Sequence, residues 1–439
     1  MPHLFIRPGC TGSPGSRLEI EVHFPRTPGR IAAPLMIAAA LAVATACSSS
    51  STSDSTPSAE PIAGSPNKAA GTPVTIGFIS EGKSPAIDNT DEIKGARAAV
   101  AYANDYLGGL GGHPITLKVC ESLGQPATAT DCANQMVAAD VAAVVEGVEG
   151  QIDATIAPLA AAKIPLVTHT ASTQAALQTP GVFMLLNGLS YFGTPAAQAK
   201  ADGVKKADLV VIGVPAAEGP ARQIGALLYG NAGVGLNVTA VPPGTADMTP
   251  QIAAADGEHP DLYTVVGNDT FCTSALKAIK TVDPSVKTTI IDRCITPGGA
   301  SAIPGGYQDI NVVTTTDLSK DRPDGKLFAS VLSKYGDGAK FGSTAAFGYS
   351  PMLGMVDALN AAKISEPTPA TVTSTLQSAP ATEYPLSGGV MFQCNGKQIA
   401  LSPNICSTDG IMATADKAGT LSNYRRVAAD AKLYSMPGR

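Results

Sequence analysis

The stretch Val74-Thr75-Ile76-Gly77-Phe78-Ile79-Ser80 decides the fold, because a run of apolar and β-branched residues of this length predicts a buried strand. A helix is predicted next, over residues 91–107. Its first turn is acidic, its apolar residues recur at helical spacing, and Gly108 and Gly109 end it. Strands and helices continue to alternate as far as a strand at residues 164–168. This alternation predicts a parallel sheet covered by helices on both faces.

A second series of the same kind follows further along the chain. It begins with a strand at residues 208–214 and runs to a strand at residues 288–292, and it is separated from the first series near residues 189–192. Because each series can form its own sheet, the sequence predicts an α/β protein with two doubly wound parallel-sheet lobes. Helices are predicted beyond them at residues 343–363 and 368–377, followed by a hairpin-like segment bounded by cysteines.

The N-terminal region has the pattern of a secretory signal. Arg26 and Arg30 precede an apolar run at residues 31–46, which is shorter than the ~20 residues of a membrane-spanning helix. The run ends in Ala44-Thr45-Ala46-Cys47, which resembles a bacterial lipobox, where the cysteine is acylated and becomes the first mature residue. The alternative is ordinary secretion with cleavage after Ala46 or at another small residue. Both interpretations predict export, with a signal peptide at residues 1–46.

The composition agrees with an exported, folded α/β chain. Residues 47–72 are rich in Ser, Thr and Pro and lack apolar periodicity, which predicts a disordered tether after the signal peptide. The net charge of −6 and the pI of about 5.4 argue against a nucleic-acid or anionic-membrane surface. No later stretch is long and apolar enough for a membrane span. Attachment to the membrane is therefore predicted only through lipid at Cys47.

Six further cysteines predict disulfides, because the chain is exported. Several pairings are compatible with the sequence, and pairing of neighbours is the most economical: Cys120–Cys132, Cys272–Cys294 and Cys394–Cys406. A zinc site is disfavoured, because there is no Cys-x-x-Cys and no histidine at a ligand spacing from a cysteine. No metal is predicted.

Sequence signatures of enzymes are missing. There is no Gly-x-Ser-x-Gly, no Walker A loop and no His-Glu-x-x-His. The glycine-rich run at residues 108–112 follows a predicted helix, whereas a dinucleotide-binding loop follows a strand and begins a helix. The sequence therefore predicts neither an enzyme nor a bound cofactor.

The best-placed polar residues follow the predicted strand at residues 164–168, in His169-Thr170-Ala171-Ser172-Thr173-Gln174. Open α/β sheets bind ligands at this carboxyl edge of the strands. If Ser172 or Thr173 caps the next helix, hydroxyls and backbone N–H groups converge on a site suited to a carboxylate. The alternative is a plain helix cap, and His169 is interpreted as a loop residue. Weaker candidates, which follow predicted strand ends in the second series, are Glu218, Asp269 and Arg293.

Taken together, the chain from Val74 onward resembles the type I periplasmic substrate-binding proteins of ABC importers, in particular the leucine/isoleucine/valine-binding branch. The order and spacing of several short segments carry the resemblance: the strand at residues 74–80, Lys94-Gly95-Ala96-Arg97-Ala98-Ala99-Val100 continuing to Asn104, residues 108–113, Ile164-Pro165-Leu166-Val167 with the Thr170-Ala171-Ser172 turn, and residues 349–362. The three cysteine pairs resemble those of actinobacterial lipoproteins of this group.

The resemblance implies two lobes that are joined by three crossovers and close on a small ligand. It places residues 73–188 and 317–384 in lobe one, and residues 189–316 and 385–439 in lobe two. Ligand contacts are implied at Glu149, Thr170, Ala171, Ser172 and Ser190. An acidic partner for a ligand ammonium group is expected near Ser190, which is neutral, so Glu149 or Asp269 could take that role.

The implied function is that of a solute-binding subunit of an ABC importer, which captures a small polar, amino-acid-like or carboxylate metabolite. Lipid at Cys47 would anchor it to the outer face of the cytoplasmic membrane, and its partners would be permease and ATPase subunits. We expect a monomer that binds no nucleic acid. The alternative is a ligand-sensing or partner-binding lipoprotein that uses the same fold.

Overall fold

The computed structural model describes residues 62, 64–84 and 88–436. Cys47, the signal peptide at residues 1–46 and most of the tether lie outside these residues. Lipidation and signal cleavage therefore stay predictions.

The first sheet contains five parallel strands in the order β2-β1-β3-β4-β5. Its strands are β1 (Val74–Ser80), β2 (Ile115–Glu121), β3 (Ala143–Glu146), β4 (Leu166–Thr168) and β5 (Val182–Met184). The connecting helices are α1 (Thr90–Tyr106), α2 (Pro126–Ala138), α3 (Ile152–Ala161) and α4 (Gln174–Gln178). The apolar side chains of β1 are fully buried at Ile76 and Phe78, as expected for a parallel strand that is covered on both faces.

The second sheet contains seven strands in the order β14-β13-β10-β9-β8-β6-β7. Strands β6 (Lys206–Ile212), β7 (Gly235–Val241), β8 (Leu262–Val266), β9 (Lys287–Ile291) and β10 (Asn311–Thr314) are parallel, and the hairpin β13 (Gly410–Ala415) and β14 (Leu421–Val427) adds two antiparallel strands. The helices of this region are α5 (Ser190–Ala201), α6 (Pro215–Pro220), α7 (Ala226–Ala232), α8 (Thr249–Asp256), α9 (Asp269–Val282) and α10 (Pro297–Ala302). The two sheets confirm the predicted doubly wound α/β fold.

Three helices and a small sheet follow the second sheet and return to the first. They are α11 (Pro323–Tyr335), α12 (Ser343–Ala361), α13 (Pro369–Ser378) and the two-stranded pair β11 (Thr382–Glu383) and β12 (Met391–Phe392). Helix α12 packs closely on α1. A Cβ at Gly95 would collide with the Ala345 carbonyl oxygen, and a Cβ at Gly348 would collide with the Glu92 carbonyl oxygen. The two glycines therefore set the distance between these helices.

The chain passes between the two sheets three times, at about residues 185–189, 315–322 and 407–409. The buried amide of Asn187 links the first passage to the third, because its Nδ2 donates to the Thr408 carbonyl oxygen over 3.1 Å. It also donates to the Tyr434 hydroxyl over 2.7 Å. Asn187 thus ties the crossovers together where the two lobes meet.

The C-terminal region differs from the prediction in two ways. Residues 391–406 were assigned to lobe two, but the Met184 N–H donates to the Asn404 carbonyl oxygen and the Cys406 N–H to the Met184 carbonyl oxygen, each over 2.9 Å. These bonds attach the segment to β5 of the first sheet, where Phe392 is buried. The hairpin is also not between the last two cysteines, since it is formed by β13 and β14. Residues 391–406 lack the apolar periodicity of a strand or helix. The sequence therefore predicted neither their packing on the first sheet nor the position of the hairpin further along the chain.

The structure forms all three predicted disulfides. Cys120–Cys132 joins β2 to α2, Cys272–Cys294 joins α9 to the turn after β9, and Cys394–Cys406 closes the segment that packs on β5. Among the residues that the structure describes, none of the helices is both long enough and apolar enough to cross a membrane.

Candidate functional site

A cavity of about 450 Å³ lies where the carboxyl ends of strands from both sheets face each other. The loops after β3 and β4 form one wall, and the residues after β9 and β10 form the other. This is the position at which open α/β sheets bind ligands. The polar and aromatic side chains in its lining are Glu149, Thr170, Ser172, Thr173, Tyr191, Asp292, Arg293, Thr315, Ser343 and Phe347.

A second cavity of about 1040 Å³ adjoins the first. The two share four lining residues, which are Ser172, Gly188, Tyr191 and Arg293. The cleft between the lobes therefore has two connected compartments.

The turn after β4 places the hydroxyls of Thr170 and Ser172 in the cleft. The Thr173 hydroxyl accepts the Ala176 N–H over 3.2 Å and donates to a carboxylate oxygen of Asp153 over 2.5 Å, so it caps α4 and its only proton is already used within the protein. Ser172 is exposed to both compartments. Of the two predicted capping residues, Thr173 is the cap and Ser172 is available for binding.

Gly188 fixes the position of this turn. A Cβ at residue 188 would collide with the Ala171 carbonyl oxygen, which belongs to the backbone and has no rotamer to escape into. Only glycine therefore allows the first crossover to pack directly behind Thr170 and Ala171.

His169 lies behind the site and does not line either cavity. Its ring is fully buried, its Nδ1 lies 2.6 Å from the Tyr384 hydroxyl, and its centroid lies 5.2 Å from that of Phe347. Burial lowers the pKa of His169 to about 3, so the ring is neutral at neutral pH. The histidine therefore supports the wall and does not act as a base toward a ligand.

Glu149 presents a carboxyl from the loop after β3. One carboxylate oxygen accepts the Ser122 hydroxyl over 2.7 Å, and the other accepts the Gln151 N–H over 2.8 Å. Burial raises the pKa of Glu149 in spite of these two hydrogen bonds. A cationic group of a ligand would stabilise the ionised carboxylate here.

A deeper carboxyl holds the same loop from behind. Glu92 of α1 is buried, and it accepts the Val148 N–H over 2.8 Å and the Ser80 hydroxyl. Burial raises the pKa of Glu92 to about 8, and the nearby carboxyls of Glu149 and Glu81 add to this shift. Glu92 is therefore mostly protonated at neutral pH and positions the binding loop without facing the ligand.

Lobe two contributes a carboxyl, a guanidinium cation and a phenol, from Asp292, Arg293 and Tyr191. The Asp292 carboxylate accepts the Arg293 N–H over 2.9 Å and the Tyr191 hydroxyl over 3.3 Å. Burial raises the pKa of Asp292, and the positive charge of Arg293 opposes this shift. The first compartment thus combines two carboxyls, one guanidinium and several hydroxyls, which suits a small solute carrying both an acceptor and a donor group.

The structure brings together only some of the predicted site residues. Glu149, Thr170, Ala171, Ser172 and Arg293 line the first compartment, and Asp269 lines the second. Ser190 is buried at the start of α5, and Glu218 forms a 2.8 Å salt bridge with Arg222; neither lines the described cavities.

Other lining residues were not predicted. Tyr191 follows the first crossover, Thr315 follows β10, and Ser343 and Phe347 lie at the start of α12. Tyr191 could have been found from the sequence, because it is an aromatic residue at the separation between the two series of strands and helices. Phe347 carried none, because its helix reaches the site only through packing on α1.

The described part of the chain holds no group of three or more His, Cys, Asp or Glu side chains arranged to bind a metal ion. The site offers hydrogen bonds, charge and an aromatic wall, and these can bind and orient a solute.

Comparisons with known proteins agree with this geometry. A family model described as periplasmic binding protein matches residues 73–402. No curated protein matches the chain.

Several solved structures share the fold at low sequence identity. A solute-binding protein of an ABC transporter from R. palustris, in complex with 4-hydroxybenzoate, is 17% identical with a TM-score of 0.59, over 80% of this chain and 95% of that one. LivJ from Streptococcus pneumoniae, in complex with isoleucine, is 17% identical with a TM-score of 0.58, over 81% and 99%. A fatty acid ABC transporter substrate-binding protein from Thermomonospora curvata is 15% identical with a TM-score of 0.61, over 83% and 95%.

These proteins bind substrates for transporters and are not enzymes. The match over residues 73–402, together with the two sheets and three crossovers, confirms the resemblance found in the sequence: this chain belongs to the periplasmic binding protein family and has its type I fold.

Proposed function

We propose that this protein is the extracytoplasmic solute-binding subunit of an ABC importer and that it captures a small carboxylate-bearing metabolite between its lobes. The observation that carries the proposal is the cavity at the carboxyl ends of both sheets, lined by groups from each lobe. Similar proteins with this fold serve ABC transporters and bind small molecules with a carboxylate. The partners would be a permease and an ATPase.

Two groups are suited to the ligand carboxylate. Arg293 lines the lobe-two wall of the cavity, and Ser172 lines its lobe-one wall. A ligand that bridges these groups would hold the lobes together, which is how binding would favour the closed form. Glu149, on the lobe-one wall, would accept a donor group of the solute.

The Ser172→Ala variant tests the site. We expect the affinity for the natural solute to fall roughly ten- to a hundredfold, because a lost hydrogen bond to a charged group costs about 1.5–3 kcal/mol. The solute would be identified by native mass spectrometry of the purified protein, and the affinity measured by calorimetry. Ser365→Ala, at an exposed position away from the cleft, is the matched control. Unchanged affinity in Ser172→Ala would rule out this placement of the ligand.

Lipid anchoring is the second part of the proposal, and its support is the sequence Ala44-Thr45-Ala46-Cys47. We expect Cys47→Ala to yield soluble or uncleaved protein, because the variant lacks the lipobox cysteine that would carry the acyl chains. Stable anchoring takes at least two chains or signals. Detergent partitioning of the mature protein measures this. A mature Cys47→Ala protein that partitions like the wild type would contradict lipidation at Cys47.

A further inference from the structure

We propose that lobe one carries a second binding site, outside the cleft, and that its ligand is a small organic cation with an alkylammonium group. The site is a cavity of about 340 Å³ between the start of α11, helix α12 and the chain around β11. None of the described residues that line it also lines a compartment of the cleft. The inference goes beyond the proposed function and does not depend on it.

The charged side chains that line this cavity are mostly acidic. The acidic ones are Asp324, Asp357 and Glu383. None of the ion pairs among the described residues includes any of these three. The one cation of the lining, Arg322, is already engaged, because it forms a 3.0 Å ion pair with Asp317 and its Nη2 donates to the Tyr424 carbonyl oxygen over 3.3 Å. The cavity therefore holds an excess of negative charge.

Asp357 is the acid that the protein encloses without giving it a partner. Within the part of the chain that the structure describes, its carboxyl forms no hydrogen bond and no ion pair. Burial raises the pKa of Asp357 to about 7. By contrast, the Asp324 carboxylate accepts the Leu386 N–H over 3.1 Å, and Glu383 is exposed to water. A bound cation would stabilise the ionised form of Asp357, which no described side chain does.

A buried hydroxyl lies beside these carboxyls. Tyr349 lines the cavity and is only 1% exposed, and among the described residues its hydroxyl has no hydrogen-bond partner. Burial raises the pKa of Tyr349, and the nearby carboxyls of Asp357 and Asp324 add to this shift. The other tyrosine of the lining is engaged, since the Tyr384 hydroxyl lies 2.6 Å from Nδ1 of His169. Because a buried hydroxyl without a partner is costly, Tyr349 indicates a ligand that forms a hydrogen bond here.

The lining favours an alkylammonium group over other cations. An ammonium has several N–H donors, so one group can serve both the Asp357 carboxylate and the Tyr349 hydroxyl oxygen. Apolar side chains suited to an alkyl chain complete the wall, and they are Pro323, Leu327, Leu353 and Pro385. No three ligating side chains of the described residues are arranged to bind a metal ion. An amine with a short apolar part therefore fits this cavity best.

The test is a ligand-observed NMR titration of the purified protein with n-butylammonium chloride, with 1-butanol as the uncharged analogue. We expect saturable binding of butylammonium, at least about tenfold tighter than that of butanol, because its hydrogen bonds are charge-assisted. Asp357→Asn should weaken it about tenfold or more, and Tyr349→Phe about two- to tenfold. Both replacements keep the shape of the side chain. Asp131→Asn, at an exposed aspartate of α2 outside this cavity, is the matched control and should change nothing.

Equal binding of butylammonium and butanol, or binding that Asp357→Asn leaves unchanged, would overturn the inference. So would the absence of any saturable binding of butylammonium. A loss of affinity in Glu149→Gln in place of Asp357→Asn would also overturn it, because the cation would then lie in the cleft. These results are distinguishable from failure of the proposed function, since they concern a cavity that is separate from the cleft.

Discussion

The Gly188→Ala variant is expected to lose solute binding by on the order of a hundredfold or more. A Cβ at this position collides with the Ala171 carbonyl oxygen, so the turn that carries Thr170 and Ser172 must move. Losing two ligand hydrogen bonds of ~1.5 kcal/mol each corresponds to about a hundredfold in affinity. The collision itself should lower the free energy of unfolding by about 1–3 kcal/mol, as for other overpacked sites. Calorimetric titration and denaturant unfolding measure the two effects.

Gly230→Ala is the matched control for this prediction. Gly230 lies in α7, and an added Cβ there would meet no atom within 4 Å. Because alanine is favoured over glycine in a helix by roughly 0.5–1 kcal/mol, the control should be slightly stabilised and should bind normally. If Gly188→Ala bound its solute as tightly as the control, the backbone contact between the crossover and the turn would not matter for binding.

The Glu92→Gln variant is expected to become increasingly more stable than the wild type as pH rises. Burial raises the pKa of Glu92 from about 4.5 to about 8 in the folded protein. Between these values the folded state keeps a proton that the unfolded state releases, so the stability that this proton confers is present below pH 4.5 and is lost as pH rises toward 8. Within this range, each pH unit lowers the stability of the wild type by about 1.4 kcal/mol. The stability difference should therefore grow by on the order of 4 kcal/mol from pH 5 to pH 8.

Comparing the two proteins removes the contributions of buried groups that do not interact with Glu92. Burial also raises the pKa of Glu146 well above its usual value and that of Asp357 to about 7, and these groups remain in both proteins. His169, whose pKa is lowered to about 3, acts in the opposite direction below its ordinary pKa of about 6.5, because only the unfolded state gains a proton there. The contributions of Asp357 and His169 cancel in the difference, whereas part of the Glu146 contribution remains, because the charge of Glu92 itself raises the pKa of Glu146.

Urea unfolding at several pH values checks this prediction, with Glu366→Gln as the exposed control. Glutamine is a suitable replacement because it can accept the Val148 N–H, as the protonated acid does, without a charge. Parallel stability curves for Glu92→Gln and the wild type would mean that Glu92 does not hold a proton in the folded protein.

Several features of this protein could be predicted from the sequence because they depend on local patterns. The run at residues 74–80 is apolar throughout, as a strand covered on both faces must be, and it became β1. The turn after residues 164–168 was predicted as a site because polar residues directly follow a buried strand, and Ser172 does line the cleft. The disulfide pairs were predicted because pairing cysteines that are neighbours along the chain is the most economical choice, and the structure forms all three.

Only the tertiary structure decided the rest of the site. Asp292 and Tyr191 come from lobe two, and their proximity to Ser172 depends on the course of three crossovers rather than on any local pattern. Phe347 reaches the cavity because Gly95 and Gly348 let α12 approach α1, a contact between residues that are far apart in sequence.

The same reason applies to two further candidate residues. Ser190 was matched to the family by position and Glu218 was chosen because it follows a predicted strand end, but which way a side chain faces depends on how its helix packs, and neither lines the described cavities. Residues 404–406 attach to the first sheet through backbone hydrogen bonds to Met184, and such bonds depend on no particular side chain. Sequence periodicity reports which segments are buried, and it therefore determined the two sheets of this protein. Long-range packing determines which segments meet, and it therefore decided the binding site.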